Sequence, residues 1–247
     1  MLARPFLLIL GICLAALPLR AEVPPLLQEA FRKFSAEVPY WAFTETIVRT
    51  DMKGKPEGET VVQIDPSKPY AEQILPLKID GKPPTPAAIE KFRKQRQRRQ
   101  DREENQSLGR LILPDQTKVV AETATSITYD VGLRRTGNSR LPPDKFQVLV
   151  RINKTRQELE SISVLVRESF RVALVGKVKS GTAVLNFQPV VPEHPAPLAM
   201  ILAEGAGSVL FVRLGANYEL RRTEFRRVKP YSDNFGATIG DLKVLDF

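Results

Sequence analysis

Hydrophobic and polar positions along the chain follow two periods, one helical and one of two residues. The stretch VPPLLQEAFRKFSAEV places Leu27, Ala30, Phe31 and Phe34 at helical spacing, which predicts a short amphipathic helix. After it, YWAFTETIVRT and ETVVQID are β-rich runs separated by the loop DMKGKPEG, which predicts two neighbouring antiparallel strands. A third strand is predicted in AEQILPLKID, where Pro76 favours a sheet edge or a bulge.

The segment DGKPPTPAAIEKFRKQRQRRQDREENQ predicts a turn followed by a second helix. Thr85 is a suitable N-cap, and Pro86 suits the first helical position because its missing N–H would have had no helical partner. Ile89 and Phe92 supply apolar contacts, but no apolar residue follows until Leu108. The second half of this helix must therefore project into water or hold on to something else.

From Val119 onward the pattern has a period of two, which predicts successive antiparallel strands with one apolar face each. A Pro-rich connection, VVPEHPAPLAM, leads to further strands around VLFVR and YELRRTEFRRV. The whole chain would then have about nine or ten strands and the two helices described above. The apolar rows are Ile127, Tyr129 and Val131; Phe146, Val148, Val150 and Ile152; Ile162, Val164 and Val166; Phe170, Val172 and Leu174; and Ala183, Leu185 and Phe187.

Two helices are too few to cover such a sheet. A helix with its side chains is about 10 Å wide and strands are about 4.8 Å apart, so one helix shields about two strands. The fold class predicted is α+β, with a curved antiparallel sheet, an incomplete β-barrel, and two or three helices over its open side. A sheet that curls would leave an apolar cavity, whereas a sandwich would fill with its own side chains.

Apolar and aromatic residues of these strands are the candidates for a ligand cavity. The alternative for each of them is an ordinary packed core. The candidate lining consists of Trp41, Phe43, Ile127, Tyr129, Phe146, Val148, Val150, Ile162, Val164, Phe170, Val172, Leu174, Leu185 and Phe187.

The first residues have the pattern of a secretory signal peptide. Arg4 precedes an apolar run from Phe6 to Leu17, and Ala21 offers a cleavage point before Glu22. The run is shorter than the roughly 20 residues that a permanent transmembrane helix needs, although a membrane anchor is the alternative. We expect residues 1–21 to be removed and the protein to reside in the periplasm.

The cysteine count agrees with export of an unlipidated protein. Cys13 is the single cysteine, and it follows Ile12 inside the apolar run, whereas a lipid-receiving cysteine needs a small residue before it. The mature chain then has no disulfide, so its stability must come from a core. No composition shift or repeat divides residues 22–247, which are predicted to form a single domain.

The chain carries a net charge of +9, and its most basic stretch lies in the second predicted helix. Such clusters often bind nucleic acid, but an exported protein meets anionic lipid, acidic glycans and acidic proteins instead. We therefore predict transient contact with anionic membrane surfaces or an acidic partner, and no nucleic acid. This basic surface comprises Lys91, Arg93, Lys94, Arg96, Arg98, Arg99 and Arg102.

Other cations add to this predicted surface. Arg151, Arg167, Arg171 and Lys177 alternate with apolar rows and should point outward. A second group near the end of the chain comprises Arg221, Arg222, Arg226, Arg227 and Lys229.

Little in the sequence points to catalysis. The single histidine, His194, lies in the loop PEHPAP, and no His or Cys cluster has the spacing of a metal site. Asp65 in IDPSKP is read as a turn residue whose carboxylate accepts backbone N–H bonds. We predict no enzyme activity, no cofactor and no metal, with a carboxylate-dependent hydrolase as the third reading of the chain.

The order of these features resembles exported bacterial proteins of the LolA/LolB-like superfamily. The likeness rests on the signal peptide, the short helix, YWAFTETIVR, DPSKP, LKIDGKPPTPAAIEKF, the long strands and the tail RRTEFRRVKPYSDNFGATIGDLKVLDF. It implies an incomplete β-barrel whose cavity holds acyl chains. Founding members of that superfamily carry lipoproteins to the outer membrane, and others sense periplasmic lipid or protein signals.

Two features depart from the carrier pattern. The basic extension from Arg93 to Arg102 is not part of it, and no cysteine is placed to receive a lipid as in the membrane-anchored receptor. The predicted function is a periplasmic, non-enzymatic carrier of lipid or lipoprotein acyl chains with membrane-bound donor and acceptor proteins. The alternative is an interaction or sensor module whose basic surface binds an acidic protein, glycan or lipid headgroup.

Overall fold

A computed structural model describes residues 22–103, 112–135, 142–172, 176–209 and 212–232 of the chain. It contains helix α1 (Pro25–Glu37) and helix α2 (Pro86–Glu103), with short 3₁₀ turns at Val38–Tyr40 and Pro143–Lys145. The predicted signal peptide and the C-terminal segment DLKVLDF lie outside the described residues.

Eleven antiparallel strands make up one sheet. In chain order they are β1 (Trp41–Asp51), β2 (Pro56–Ile64), β3 (Ile74–Lys78), β4 (Ile112–Glu122), β5 (Ser126–Leu133), β6 (Phe146–Asn153), β7 (Glu158–Val166), β8 (Phe170–Val172), β9 (Gly176–Phe187), β10 (Leu198–Val209) and β11 (Val212–Arg227).

The sheet is open, with the order β3-β2-β1-β11-β10-β9-β7-β6-β5-β4, and β8 pairs with one end of β9. This confirms the predicted α+β class with an open antiparallel sheet, although the sheet has one or two strands more than expected. β3 forms one edge, where the register with β2 shifts opposite Pro76. The missing N–H of a proline is tolerated at such a position, as the sequence predicted.

Local signals explain both helices. In α1 the apolar residues Leu27, Ala30 and Phe31 are buried on one face. In α2 the Thr85 hydroxyl accepts a hydrogen bond from the Ala88 N–H at 3.3 Å, as expected of an N-cap. Neither helix, nor any other in the described ranges, combines the length and apolarity needed to cross a membrane.

One continuous row of inward side chains crosses most of the sheet. Each member lies directly opposite the next on the neighbouring strand, so the period of two keeps all of them on the same face. The row runs through Tyr129, Val150, Ile162, Leu185, Ile201, Leu220, Ile47 and Thr60.

Helix α1 closes one half of this face. It packs against β6 and β7, and the apolar side chains between the helix and the sheet are almost fully removed from water. This core comprises Leu27, Ala30, Phe31, Ile112, Ile127, Tyr129, Val131, Val148, Val150, Ile152, Leu159, Ile162, Phe187, Ala196 and Leu198.

Candidate functional site

The other half of the inner face borders a cavity of about 1450 Å³. Its floor is β1, on which the alternate residues Trp41, Phe43, Glu45, Ile47 and Arg49 all line the cavity. This follows from the geometry of a strand, which turns every second side chain to the same face. A carboxylate therefore stands in the middle of an apolar row.

Helix α2 faces this floor across the cavity. Ala88, Lys91, Phe92, Gln95 and Arg96 line the cavity, and their spacing of three and four residues places them on one face of the helix. Only the start of this face is apolar. The packing of α2 among the described residues is against β3 at the sheet edge.

The chain after β11 closes one side of the cavity. Pro230 and Tyr231 line the wall, and the segment is fixed by backbone hydrogen bonds from Val228 N–H to the Tyr40 carbonyl and from Tyr231 N–H to the Pro66 carbonyl. The segment after β11, the sheet and α2 thus border a space with a largely apolar wall.

Glu45 is the most buried charged residue of the wall, with 2% of its side chain exposed. Arg222 lies directly opposite on β11 and donates from Nε to the Glu45 Oε2 at 3.0 Å. Arg96 approaches from α2 and donates from Nη1 to the Glu45 Oε1 at 3.1 Å. One carboxylate therefore serves two guanidinium groups, and we call these three residues the cavity triad.

The surroundings of Arg222 fix its position. Its guanidinium carbon lies 4.4 Å from the centre of the Phe43 ring, a cation–π arrangement. Burial lowers the pKa of the Arg222 guanidinium, and the Glu45 carboxylate opposes that shift. Because an arginine stays protonated at any physiological pH, Arg222 is a permanent positive charge in the wall.

Ion pairs surround the rim of the cavity. Arg49 binds Asp80 at 3.0 Å, and Arg227 binds Glu37. Arg226 on β11 binds Asp65, which follows β2, at 2.9 Å. These pairs tie α1, the sheet and the following loops together around the opening.

Asp65 is the turn residue that the sequence predicted. Its carboxylate accepts hydrogen bonds from the Ser67 N–H at 3.0 Å and from the Ser67 hydroxyl. Burial of the Asp65 carboxyl favours its neutral form, but the bonds from Ser67 and the charge of Arg226 outweigh it and hold its pKa below the ordinary value.

Trp41 carries a buried donor without an acceptor. Among the described residues, no atom accepts a hydrogen bond from its indole Nε1–H, although the residue is only 2% exposed. An indole N–H can only donate. An acceptor brought by a bound molecule would remove the cost of this unsatisfied group.

The structure divides the predicted cavity lining between the two halves of the sheet. Trp41 and Phe43 line the cavity. Most of the others lie in or against the core under α1 instead, namely Ile127, Tyr129, Val148, Val150, Ile162, Val164, Leu185 and Phe187.

Four further candidates belong to neither group. Phe146 and Phe170 pack edge to face, with ring centres 5.4 Å apart. The side chain of Val172 and the whole of Leu174 lie outside the described part of the chain.

The predicted basic surface also divides. Arg93 and Lys94 are exposed, and Lys94 pairs with Glu90 one turn earlier. Lys91 is exposed and borders the cavity, whereas Arg96 is turned into it. The side chains of Arg98, Arg99 and Arg102 lie outside the described ones.

The four arginines of the second predicted cationic group all form ion pairs. Arg222 belongs to the cavity triad, and the other three arginines are paired with carboxylates on or near the sheet: Arg221 with Glu219, Arg226 with Asp65, and Arg227 with Glu37. The expected outward direction holds for Arg151, Arg167, Arg171 and Lys177, which are all exposed.

Sequence reasoning missed Glu45 and Arg222 as site residues. A usable signal existed for Glu45, because it interrupts the period-two apolar positions Phe43 and Ile47 of one strand. A charge in such a row needs a partner on the same face. Nothing local in the sequence identifies that partner, since Arg222 is 177 positions away.

The described residues show no constellation of metal ligands. His194 is half-buried in its loop, with its ring centre 6.4 Å from that of Trp41. The arrangement that stands out is therefore the cavity with its charged triad.

No protein-family model matches this chain, and no curated protein or solved structure is significantly similar to it.

Proposed function

We propose that this protein is a periplasmic carrier that holds lipid or lipoprotein acyl chains in the cavity beneath α2 and passes them to an acceptor. The observation that carries the proposal is the cavity of about 1450 Å³ with its largely apolar wall. Small-molecule sites typically measure about 300 to 1,000 Å³, so there is room for a long hydrocarbon chain.

The driving force is the removal of hydrocarbon from water. Each buried CH₂ group contributes about 0.8 kcal/mol. The wall meets the chain with side chains such as Phe43, Ile47 and Phe92. Transfer requires only an acceptor that offers similar burial, since the exchange then leaves the hydrophobic free energy nearly unchanged.

Entry and exit would occur beside α2. This helix packs on the edge strand β3, and its inward face past Phe92 offers Gln95 and Arg96 rather than apolar side chains. Little hydrophobic surface would be exposed if it moved away from the sheet. The exposed Arg93 and Lys94 would bring this helix toward anionic lipid, at about 1 kcal/mol per charge near the surface.

An open antiparallel sheet with helices on its inner face also suits the LolA/LolB-like resemblance, which remains part of the proposal. The competing interaction module would use the exposed cations of α2 to bind an acidic partner. The cavity favours the carrier, because that module has no need of it.

A cavity-filling variant tests the proposal. The full chain is expressed in a bacterium, purified from the periplasm and examined by native mass spectrometry, followed by lipid extraction. We expect bound acyl species on the unaltered protein. Ile47→Trp, which places a large ring in the cavity, should lose them.

Val48→Trp is the matched control. Val48 is the next residue of β1 and points to the opposite face. The control should keep its bound acyl species. A clean mass of the bare chain for the unaltered protein, also after incubation with dodecanol, would contradict the carrier function.

A further inference from the structure

The cavity triad places surplus positive charge in an apolar wall. Glu45 contributes one negative charge, and Arg96 and Arg222 contribute one positive charge each, so the triad carries a net charge of +1. Glu45 is 2% exposed, and the side chains of Arg96 and Arg222 are 28% and 21% exposed. An isolated charge with so little water is costly unless a counterion accompanies it.

Both guanidinium groups have donors beyond those that Glu45 uses. An arginine has five N–H donors in a planar fork. Glu45 receives Nε and one terminal nitrogen from Arg222 and one terminal nitrogen from Arg96. The stacked Phe43 ring holds the plane of Arg222. Planar forks of this kind bind carboxylate and phosphate oxygens well.

The other charges of the described wall leave this surplus in place. The remaining carboxylates are those of Glu37 and Asp80, which are engaged by Arg227 and Arg49. Lys91 on α2 adds a further cation to the lining. An anion entering the cavity therefore meets attraction from both α2 and β11.

We propose that the cavity takes an amphiphile with one anionic group, whose carboxylate or phosphate binds Arg96 and Arg222 while its acyl chain lies along the apolar wall. This inference rests on the proposed carrier function and names its ligand class. A fatty acid or a lipid phosphate provides the same chemistry. Inorganic phosphate without a chain would lack the hydrophobic contribution.

The affinity of each ligand is measured by displacement of N-phenylnaphthylamine. This neutral compound becomes more fluorescent in apolar sites. Dodecanoate, dodecyl phosphate, dodecanol and inorganic phosphate are titrated at neutral pH into the unaltered protein and into Arg96→Gln. This variant leaves the Glu45–Arg222 pair intact but neutral. We expect this variant to lower the affinity for dodecanoate and dodecyl phosphate by about tenfold or more, because hydrogen bonds to charged groups are stronger than those between neutral groups.

The same variant should leave the affinity for dodecanol within about twofold, since an alcohol does not need the charge. Arg32→Gln removes an exposed arginine of α1 that does not line the cavity and is the control, with no change expected for any ligand. Arg96→Lys should restore part of the lost affinity for the anionic ligands, because it restores the charge without the planar fork.

Each outcome decides a different point. If Arg96→Gln loses affinity for dodecanoate and dodecanol equally, Arg96 only holds α2 in place. That result would overturn the anion site. Dodecanol binding with no effect of Arg96→Gln on dodecanoate would overturn it as well, while the carrier stands. Displacement by inorganic phosphate at the same concentrations as dodecyl phosphate would exclude an amphiphile. Displacement by none of the ligands would contradict the carrier itself.

Discussion

The half of the sheet under α1 and the half under α2 have different interiors, and we call them the solid half and the hollow half. Under α1, side chains such as Leu27, Val150 and Ile152 are 0% or 1% exposed, so water is excluded from this interior. Under α2, Phe43 and Ile47 face a cavity of about 1450 Å³. Both the helices and the strands differ, because the inward rows of the second half include the polar residues Glu45, Arg49 and Thr60.

The inward faces of the helices explain the contrast. The face of α1 presents Leu27, Ala30 and Phe31 at spacings of three and four, and they reach the sheet. The corresponding face of α2 has Ala88 and Phe92 at its start, but it also presents Lys91, Gln95 and Arg96, which cannot make a dry contact with an apolar sheet. A charged helix face thus preserves an interior space that an apolar one would fill.

The largest expected effect comes from breaking the cavity triad. Arg222→Leu leaves the Glu45 carboxylate buried with only Arg96 beside it. Arg222 supplies two of the three nitrogens that contact Glu45, and a hydrogen bond to a charged group contributes about 1.5 to 3 kcal/mol. We expect urea unfolding to show a loss of about 3 kcal/mol or more.

The double variant Glu45→Leu with Arg222→Leu should lose less free energy of unfolding than Arg222→Leu alone. In the double variant no buried carboxylate remains, and Arg96 can turn to water. A double variant that loses at least as much free energy of unfolding as Arg222→Leu alone would show that the triad as a whole stabilises the fold. The hollow half would then depend on its charges for stability rather than for binding.

Truncations on the two helices compare the solid and hollow halves directly. Leu27 is 0% exposed, and Leu27→Ala should cost about 2 to 5 kcal/mol through lost burial and the cavity it leaves. Phe92→Ala on α2 should cost under about 1 kcal/mol, because that side chain already borders empty space. Urea unfolding of both variants measures the difference, and equal losses would mean that α2 is packed as tightly as α1.

The smallest effect concerns the rim of the hollow half at low pH. The pKa of Asp65 is held below its ordinary value of 3.8, so its contribution to stability is present above that value and is lost as the pH falls through the folded pKa. Asp65→Asn should cost about 1 to 3 kcal/mol at neutral pH. The difference from the unaltered protein should shrink below pH 3.8.

Urea unfolding at a series of pH values checks this expectation. Asp115→Asn is the control, because Asp115 is exposed on β4. A difference for Asp65→Asn that stays constant through the acid range would contradict the role given to the Arg226 and Ser67 contacts.

The elements set by local signals were predictable from the sequence. The spacing of Leu27, Ala30 and Phe31, the N-cap Thr85 and the edge residue Pro76 each act within a few positions, and each has the predicted role. Only the part of β4 from Val119 onward was predicted, because the strand contains Pro114 and its register with β5 shifts twice. An irregular strand of this kind has no clean period of two.

The interior of the two halves could not be predicted in the same way. The period-two rows identify which residues face inward, but they do not show which helix covers Val150 and which covers Ile47. What distinguishes them is the helix that lies above. The partner of Arg96 is likewise set by the fold, since Glu45 is 51 positions earlier in the chain.

The most direct test of the hollow half is photo-crosslinking with dodecanol that carries a diazirine near the end of its chain, followed by peptide mapping. The account predicts labels on the cavity wall, at Phe43, Ile47 or Phe92, and none on Val150 or Ile152 in the core under α1. Labels confined to the α1 half, or a chain that takes up no label at all, would contradict it.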